Sequence, residues 1–498
     1  MILRHVGFCF CVAAACSAAS LTGNWAAGTA GADGVARKTY FDLKEEGSRI
    51  TGHIRVTQFY YTIKESTGGA DGFTITGSMM DTGHKERTVK YEGRLDGDTL
   101  RIGTRRRPDQ PLNEMEAHRV PAGEGAYPTR LPLPALHKVP DNGLVRTPPM
   151  GWNSWNKFAG RVDDASVRGM ADAMVTSGMK DAGYIYINID DTWEGERDAR
   201  GNITTNRKFP EMKAVADYVH AKGLKLGIYS SPGPNTCAGY EGTFGHEEQD
   251  ARTWAAWGID YLKYDWCGAR NLYSDEEMQA VYQKMGDALR AAGRPIVFSL
   301  CQYGFAEVWK WGAEVGGNLW RTTGDIRDTY DSMANIGFAQ DEHGPFAQPG
   351  HFNDPDMLEI GNGGMNADEY RTHMSLWSIL AAPLLAGNDL RSMTPEIASI
   401  LMNREVIAVD QDKLGRQGRR AWKSGEQEIW VRELAAGDRA VAVFNRGTTP
   451  AAVKLDWSAL GLAAPKSVRD LWAHKDQPAA EAGNLMVPPH GVQMLRVK

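Results

Sequence analysis

Charged side chains stand at the ends of three short apolar runs in the sequence. One run ends in Asp190-Asp191, another in Lys263-Tyr264-Asp265, and a third is followed by acidic and basic residues between Arg321 and Asp325. A lysine inside an apolar run needs a carboxylate or a ligand as its partner, because an unpaired buried charge is costly. Two of these carboxylates could cleave a glycosidic bond, one attacking the anomeric carbon while the other protonates the departing oxygen.

Aromatic residues accompany these charged groups. Trp193 lies two residues after Asp191, Tyr229 and Cys301 end two further apolar runs, and Trp152 and Trp155 precede the first run. Carboxylates accept hydrogen bonds from sugar hydroxyls, cations donate them, and an aromatic face covers the apolar side of a pyranose ring. The combination favours a neutral, polyhydroxylated substrate.

Each acid also has a purely structural explanation. An aspartate that follows a strand often caps the next helix, and this explanation fits Asp325. The pair Asp190-Asp191 could bind a metal ion, but no histidine or further carboxylate stands nearby at ligand spacing, so we expect no metal and no other cofactor. A second polar group, Asn353-Asp354-Pro355-Asp356, follows the later runs. Because so many apolar runs end in acids or bases, one shared site explains them better than independent caps.

The apolar runs alternate with amphipathic stretches through residues 150–415, which we take as the catalytic domain. The predicted strands are residues 184–189, 224–229, 261–264, 296–300, 319–322 and 357–360. This rhythm is typical of a (β/α)8 barrel, whose strands all end at one mouth. An open doubly wound sheet is the alternative, but no dinucleotide-binding fingerprint follows the first strand.

Two β-rich regions flank this predicted barrel. Residues 21–126 show short alternating runs broken by glycine, which predicts a small antiparallel β domain. Residues 127–149 contain six prolines and predict a stiff linker. Residues 416–498 alternate again and predict a C-terminal antiparallel β-sandwich. The fold class is therefore a multidomain α/β plus β chain.

Composition narrows the possible partners. The chain has 498 residues, and 56 basic against 62 acidic side chains give a net charge of −6. This balance argues against a nucleic acid or an anionic membrane surface as partner. The 12 histidines are scattered, which disfavours a metal-dependent barrel hydrolase.

The first residues predict export. Residues 1–20 have the charged, apolar and small-residue order of a secretory signal peptide. An alternative is lipid attachment at Cys16, which follows Ala13-Ala14-Ala15. Either interpretation places the protein outside the cell or in the periplasm, and no other segment is long and apolar enough to span a membrane. Cys237, Cys267 and Cys301 remain in the mature chain, and this odd number predicts one disulfide and one free thiol.

At these residues the chain resembles glycoside hydrolase family 27, which contains retaining α-galactosidases and α-N-acetylgalactosaminidases. The resemblance begins at Asn142 and excludes the region before Pro128. It rests on six motifs in order: residues 146–155 (RTPPMGWNSW), 190–191 (DD), 245–250 (GHEEQD), 261–265 (YLKYD), 320–326 (WRTTGDI) and 353–365 (NDPDMLEIGNGGM).

The resemblance implies that Asp265 is the nucleophile and Asp325 the general acid/base. The implied sugar contacts are Asp190 and Asp191 near O4 and O6, Lys263 near O3 and O4, Arg321 and Cys301 near O2, Trp155 as an apolar wall, and Tyr229 and Met365 as pocket lining. A disulfide between Cys237 and Cys267 is implied as well. Because a cation favours an ionised neighbour, we expect Lys263 to lower the pKa of Asp265.

Two positions bear on the substrate. The chain has Cys301-Gln302-Tyr303 where many family members have Cys-Glu-Trp, and the bulky Tyr303 would fill the space of an N-acetyl group. Asp191 favours a substrate with a C6 hydroxyl. The implied function is removal of terminal α-linked galactose from oligo- or polysaccharides. The alternatives are a β-L-arabinopyranosidase or α-N-acetylgalactosaminidase of the same family, and a non-enzymatic carbohydrate-binding protein on the same barrel.

Overall fold

The computed structural model describes residues 20–28, 30–81, 84–105, 107, 109–478 and 482–498. Residues 1–19 lie outside this description, so the predicted signal peptide and the alternative lipid site at Cys16 stay predictions. The chain divides into two compact units. Of the described residues, one unit comprises those at 20–28 and 36–127, and the other comprises those at 30–35 and 128–498.

The first unit is a closed antiparallel barrel of eight strands. Each strand pairs with the next along the chain, and the first also pairs with the eighth, with Trp25 opposite Arg119. Successive side chains of a strand point alternately inward and outward, and this alternation buries Trp25, Phe41, Ile54 and Ile75 in the interior of the barrel. The strands are β1 (Gly23–Ala27), β2 (Thr39–Glu46), β3 (Arg49–Val56), β4 (Phe59–Gly69), β5 (Gly72–Met80), β6 (Glu86–Asp96), β7 (Thr99–Thr104) and β8 (Asn113–Arg119).

The second unit begins with eight parallel strands and one short hairpin. In chain order the strands are β9 (Met150–Asn153), β10 (Tyr186–Asn188), the hairpin β11 (Glu194–Arg197) and β12 (Ile203–Thr205), β13 (Lys225–Ser230), β14 (Tyr261–Asp265), β15 (Val297–Cys301), β16 (Leu319–Arg321), β17 (Phe352–Asp354) and β18 (Leu384–Ala386). The parallel strands are neighbours in the order β17, β16, β15, β14, β13, β10, β9, β18, and an isolated bridge joins Leu358 to Ala386 of β18.

Helices alternate with these strands, as a (β/α)8 barrel requires. Two of the longer ones begin at side-chain caps: Asp163 accepts a hydrogen bond from the Ser166 N–H at the start of the helix at Asp164–Thr176, and Asn366 accepts from the N–H groups of Asp368 and Glu369 at the start of the helix at Ala367–Leu380. The helices are α1 (Trp155–Phe158), α2 (Asp164–Thr176), α3 (Met212–Ala221), α4 (Glu247–Trp257), α5 (Met278–Ala291), α6 (Tyr330–Gly337), α7 (Ala367–Leu380), α8 (Pro395–Leu401) and α9 (Arg404–Asp410). Short 3-10 helices span Ala159–Arg161, Lys180–Ala182, Ala269–Asn271, Asp275–Glu277, Phe305–Lys310, Asp341–Phe346 and Leu390–Ser392.

A six-stranded antiparallel sheet and a two-stranded sheet complete the second unit. The strands are β19 (Arg419–Ser424), β20 (Gln427–Glu433), β21 (Arg439–Asn445), β22 (Ala451–Lys454), β23 (Val468–Asp470), β24 (Lys475–Gln477), β25 (Asn484–Val487) and β26 (Val492–Val497). The larger sheet has the order β19, β20, β21, β26, β23, β24, the smaller sheet pairs β22 with β25, and both contribute to one apolar core. The predicted fold class is thus confirmed in all three of its parts.

Three details of the barrel differ from the prediction, and the first is that β9 (Met150–Asn153) was not among the predicted strands. Residues 357–360 form no strand; the strand here is β17, which ends at Asp354. The apolar run is buried, but the left-handed backbone at Asp356 (φ 87°) and Gly361 (φ 93°) limits its pairing to the single bridge at Leu358. Strand β18 was not predicted, because the apolar sequence continues from α7 into it without a change of period.

No helix in the described part of the chain combines the length and the apolar character that crossing a bilayer requires.

Candidate active site

One cavity of about 140 Å³ lies where the barrel strands end. Nine of the predicted site residues line it: Trp155, Asp190, Asp191, Tyr229, Lys263, Asp265, Tyr303, Arg321 and Asp325. Parallel strands bring these side chains together, because their carboxyl ends all face the same mouth. Residues more than 100 positions apart in the sequence therefore share one small, highly polar space.

Asp265 ends β14 at the base of this arrangement. Its carboxyl group is almost fully buried, and two phenols hold it. The Tyr229 hydroxyl donates to Oδ2 at 3.0 Å, and the Tyr303 hydroxyl donates to Oδ1 at 2.7 Å. Tyr303 reaches this position from a left-handed backbone conformation, with φ of 62°. Both oxygens are thus fixed in direction before any substrate is present.

The pKa of Asp265 differs from our expectation. Burial raises it from 3.8 to about 6, and Lys263 opposes this effect without overcoming it. Lys263 is shared with a second acid, since its Nζ lies 2.8 Å from Oδ2 of Asp190. Desolvation is therefore the largest effect on the pKa of Asp265, ahead of the attraction to Lys263.

Asp325 has the opposite environment. Its side chain is 72% exposed, and Oδ1 lies 3.1 Å from Nη2 of Arg321. The same arginine nitrogen lies 3.0 Å from Oδ2 of buried Asp356, which also accepts a hydrogen bond from the Ile326 N–H at 2.8 Å. Arg321 is thus anchored by Asp356, and the Asp325 carboxyl group is open to solvent.

Asp190 and Lys263 form a buried ion pair in the cavity wall. Asn153 of β9 donates to the same Oδ2 of Asp190 at 2.8 Å, and the Asp191 N–H donates to Oδ1 at 2.9 Å. Burial alone would lower the pKa of Lys263, but Asp190 and the neighbouring acids outweigh it and raise that pKa. The pair therefore presents one ammonium and one carboxylate in fixed positions.

Asp191 is held by backbone groups. Oδ2 accepts the Ala238 N–H at 2.8 Å, and Oδ1 accepts the Thr192 N–H at 2.7 Å. Burial raises the pKa of Asp191 to about 7, and its neighbour Asp190 adds to the effect. Ala238 lies in the loop after β13, and Asp191 lies in the loop after β10. The first loop therefore helps to orient the carboxyl group of Asp191.

The disulfide between Cys237 and Cys267 is present, with Cα atoms 5.1 Å apart. This confirms the implied pairing, and the distance lies within the usual range for such bonds. The bond ties the loop after β13 to a residue two positions beyond Asp265. Cys301 is the free and buried cysteine among the described residues.

Two predicted site residues do not line the cavity. Cys301 is buried, and its Sγ accepts a hydrogen bond from Nη1 of Arg321 at 3.6 Å, so it contacts the arginine rather than the open space. Met365 is buried in the loop before α7, where Asp328 accepts the Gly364 N–H and Tyr370 accepts the Gly363 N–H.

The structure also places residues here that the sequence analysis missed. Asn156, Ile326, Asp356 and Met357 line the cavity. Asp356 lies in the polar group 353–356, which we noted but gave no role, and that group was the available signal. Asn156 and Met357 carried no signal, because an amide and a thioether beside an apolar run occur in most folds.

Metal-ligand atoms come together at one place among the described residues, Cys237, Asp265 and Cys267. Both sulfur atoms belong to the disulfide, and a disulfide lacks the thiolate that binds a metal. This donor set does not fit a metal ion.

A second cavity of about 630 Å³ shares Trp155, Asn156 and Ile326 with the first. Its wall includes Arg327 and Glu359, and Glu359 is held by the amides of Asn156 and Asn362. The two cavities are adjacent, because they share the three lining residues Trp155, Asn156 and Ile326. A ring bound in the first cavity could therefore carry a substituent in the second.

Comparison with known proteins agrees with this geometry. The family described as "Alpha galactosidase A" matches residues 147–412, and the one described as "Alpha galactosidase C-terminal beta sandwich domain" matches residues 424–497. The α-galactosidase A of Cellvibrio japonicus is 46% identical over 71% of this chain and 92% of its own, and the α-galactosidase of Cyamopsis tetragonoloba is 48% identical over 68% and 82%. The crystal structure of α-galactosidase I from Mortierella vinacea superposes with a TM-score of 0.68 at 38% identity, over 72% of this chain and 98% of its own.

These matches span the barrel, the C-terminal sheets and nearly the whole length of the Mortierella and Cellvibrio proteins. The chain therefore belongs to glycoside hydrolase family 27 and is a glycoside hydrolase of the α-galactosidase type.

Proposed function

We propose that this protein removes terminal α-linked galactose with retention of configuration, through a covalent galactosyl-aspartate. The observation that carries the proposal is that a buried carboxyl group, Asp265, and an exposed one, Asp325, line the same small cavity. A nucleophile needs a fixed, dry position, and a group that both gives and takes a proton needs access to water. Membership of the family supports the same substrate class.

The reaction would take two steps. In the first, an oxygen of Asp265 bonds to C1 of galactose, the bond from C1 to the glycosidic oxygen breaks, and Asp325 gives its proton to the departing oxygen. In the second, the oxygen of a water molecule bonds to C1, the ester bond to Asp265 breaks, and Asp325 takes the water proton. Two inversions at C1 give net retention, and Asp325 returns to its starting state.

Recognition of the sugar would fall to the remaining charged groups. Asp190 and Asp191 would accept hydrogen bonds from O4 and O6, Lys263 would donate to O3 and O4, and Arg321 would donate to O2. Trp155 would cover an apolar face of the ring. Tyr303 supports galactose over its N-acetyl derivative, because its hydroxyl is fixed on Asp265 and its ring cannot move away without breaking that bond.

The leaving group of an oligo- or polysaccharide would occupy the second cavity. Trp155, Asn156 and Ile326 line both this cavity and the first cavity, in which the sugar would bind. The second cavity is larger and carries polar side chains, so it suits a hydrophilic saccharide.

A panel of nitrophenyl glycosides tests the substrate assignment. We expect the α-galactoside to be hydrolysed with kcat/KM at least about tenfold above the α-N-acetylgalactosaminide, the β-L-arabinopyranoside and the α-glucoside. The N-acetyl group would displace Tyr303, the arabinopyranoside lacks the C6 hydroxymethyl group that Asp191 would contact, and the opposite configuration at C4 of glucose would turn O4 away from Asp190 and Lys263. A dominant rate on the arabinopyranoside would contradict the role given to Asp191. Binding of galactose without hydrolysis of any glycoside would favour the non-enzymatic alternative.

The pKa of about 6 at Asp265 predicts an acid limit to activity. Since only the ionised carboxylate attacks C1, kcat/KM should fall tenfold per pH unit as the pH drops below about 6. Tyr303→Phe removes a hydrogen bond that favours the ionised form, so the pKa should rise and the limit should move upward by about one pH unit. The pH profiles of kcat/KM for both proteins are the measurement. A limit that stays in place, or moves downward, in the variant would rule out Asp265 as the titrating group.

We also propose that the protein is exported. The signal-like order of residues 1–20 supports this, and so does the Cys237–Cys267 disulfide, since such bonds persist in oxidising compartments. Recovery of the active enzyme only from the cytoplasm of its natural host, with residue 1 still present, would disprove export.

A further inference from the structure

Residues Ala30–Val35 precede the matched family region by more than 100 positions, yet they belong to the compact unit that holds the active site. The segment is closed on itself, because the Gly31 N–H donates to the Val35 carbonyl at 3.0 Å and the Gly34 N–H donates to the Gly31 carbonyl at 2.9 Å. It contains one charged residue, Asp33, which is 8% exposed.

Asp33 is bonded to the loop after β13. Its Oδ2 accepts the hydroxyl of Tyr240, which lies 207 residues further along the chain, and its Oδ1 accepts the Val35 N–H at 3.1 Å. The Asp33 carbonyl accepts the Arg207 N–H at 3.1 Å. The fit is close: a Cβ at Gly34, where φ is 83°, would lie 2.7 Å from Nε of Arg207. Asp33 is therefore held on three sides and can act as a fixed acceptor for Tyr240.

Tyr240 closes a tight turn that reaches the sugar cavity. Its N–H donates to Oγ1 of Thr236 at 3.0 Å, its carbonyl accepts the Thr236 N–H at 2.9 Å, and the Gly239 N–H donates to the Thr236 carbonyl at 3.0 Å. Between these two ends stand Cys237 and Ala238. The turn is thus clamped at its base, and its tip is presented toward the cavity.

The tip of the turn holds Asp191. The Ala238 N–H donates to Oδ2 of Asp191 at 2.8 Å, and the Thr236 side chain hydrogen-bonds the same carboxyl group. Cys237 lines the cavity beside Asp191. Any loosening at Tyr240 would move Thr236 and Ala238 together, because the backbone bonds of the turn couple them.

We propose that Asp33 is a positioning residue for the active site, which acts through Tyr240 and the turn at 236–240 to orient Asp191 toward the C6 end of the bound sugar. This inference rests on the proposed function for the role of Asp191. It also implies that the catalytic unit needs residues 30–35, although they lie between β1 and β2 in the sequence.

The test compares Asp33→Ala and Tyr240→Phe with the unaltered full chain on nitrophenyl α-galactoside and β-L-arabinopyranoside, which differ in the C6 hydroxymethyl group. We expect KM for the α-galactoside to rise about tenfold with kcat changed by less than about threefold. Both variants lose the hydrogen bond between Tyr240 and the charged Asp33, and neither residue contacts the substrate directly. The preference for galactoside over arabinopyranoside should fall by a similar factor. Asp33→Asn, which keeps an acceptor oxygen, should recover most of the loss.

Asp470→Ala is the matched control. Asp470 is 7% exposed and accepts the N–H groups of Trp472 and Ala473 at 2.9 Å, so its loss has a similar structural cost in the C-terminal sheets. We expect its KM and its substrate preference to equal those of the unaltered protein. Tyr240→Phe keeps the Asp33 carboxylate and so covers the case in which Asp33→Ala does not fold.

Backbone hydrogen exchange of residues 236–243 gives a readout without activity. In Asp33→Ala and Tyr240→Phe these amides should exchange at least about tenfold faster, with the C-terminal sheets unchanged. Unchanged exchange and KM, or an equal loss on both substrates, would overturn the proposal. If the unaltered protein hydrolyses no α-galactoside, the proposed function fails, and the exchange data still decide whether Asp33 clamps the turn.

Discussion

Asp265→Asn should lower kcat on nitrophenyl α-galactoside by on the order of 10⁴-fold or more, because no other group can form the covalent intermediate. The side chain keeps its shape, and both phenols that contact it remain. The fold should therefore survive. Burial raises the pKa of Asp265 to about 6, so its ionised form costs stability at neutral pH, and the neutral amide should raise the free energy of unfolding by up to about 3 kcal/mol.

The sign of that stability change follows from proton binding. The folded protein holds the Asp265 proton up to pH of about 6, whereas the unfolded chain releases it near 3.8. The contribution of this group to stability is therefore full below pH 3.8 and is lost as the pH rises through 6. Thermal unfolding at pH 7 and at pH 4 measures it. The gain from Asp265→Asn should be present at pH 7 and absent at pH 4.

Azide identifies the role of Asp265 by its product. In Asp265→Gly, azide should enter the space of the lost carboxylate, attack C1 of nitrophenyl α-galactoside from that side, and release β-galactosyl azide as nitrophenolate leaves. The configuration of the azide, read by NMR, decides the assignment. Formation of α-galactosyl azide, or normal turnover by Asp265→Asn, would show that another residue is the nucleophile.

Asp325→Asn should have a large effect that depends on the leaving group. For a natural galactoside such as a galactosyl oligosaccharide, loss of the proton donor should lower kcat/KM by about 10²–10⁴-fold. For a dinitrophenyl α-galactoside, whose leaving group needs no proton, kcat/KM should change by less than about tenfold. Hydrolysis rates over a series of leaving groups with different pKa values are the measurement.

Asp331→Asn is a control for Asp325→Asn, because Asp331 lies six residues further on, is exposed and lines neither cavity. Its dependence on the leaving group should match that of the unaltered enzyme. Equal losses of kcat/KM on all leaving groups in Asp325→Asn would mean that Asp325 helps to bind the substrate or to hold the site together, and does not transfer the proton.

The different surroundings of the two acids explain why one sequence motif cannot assign their roles. Asp265 is buried and fixed by Tyr229 and Tyr303, whereas Asp325 is exposed and paired with Arg321. Two carboxyl groups of nearly identical chemistry thus suit different roles, because desolvation at Asp265 suits a nucleophile and solvent access at Asp325 suits a general acid/base.

The sequence by itself determined the barrel rhythm, the two flanking β regions and most of the cavity lining. These features depend on local periodicity and on which residue types end each apolar run, and both can be read directly from the sequence. Since all parallel strands end at one mouth, the strand ends also predicted that Asp190, Lys263, Asp265 and Arg321 would meet.

Only the tertiary structure decided the rest. The raised pKa of Asp265 depends on burial by atoms that several strands contribute, and this burial outweighs the lowering effect of Lys263. The anchoring of Arg321 by Asp356, and the contact of Asp33 with Tyr240, join residues with no periodic relation in the sequence. Such contacts depend on the path of the whole chain, because desolvation and hydrogen bonding are properties of three-dimensional surroundings and not of neighbours in the sequence.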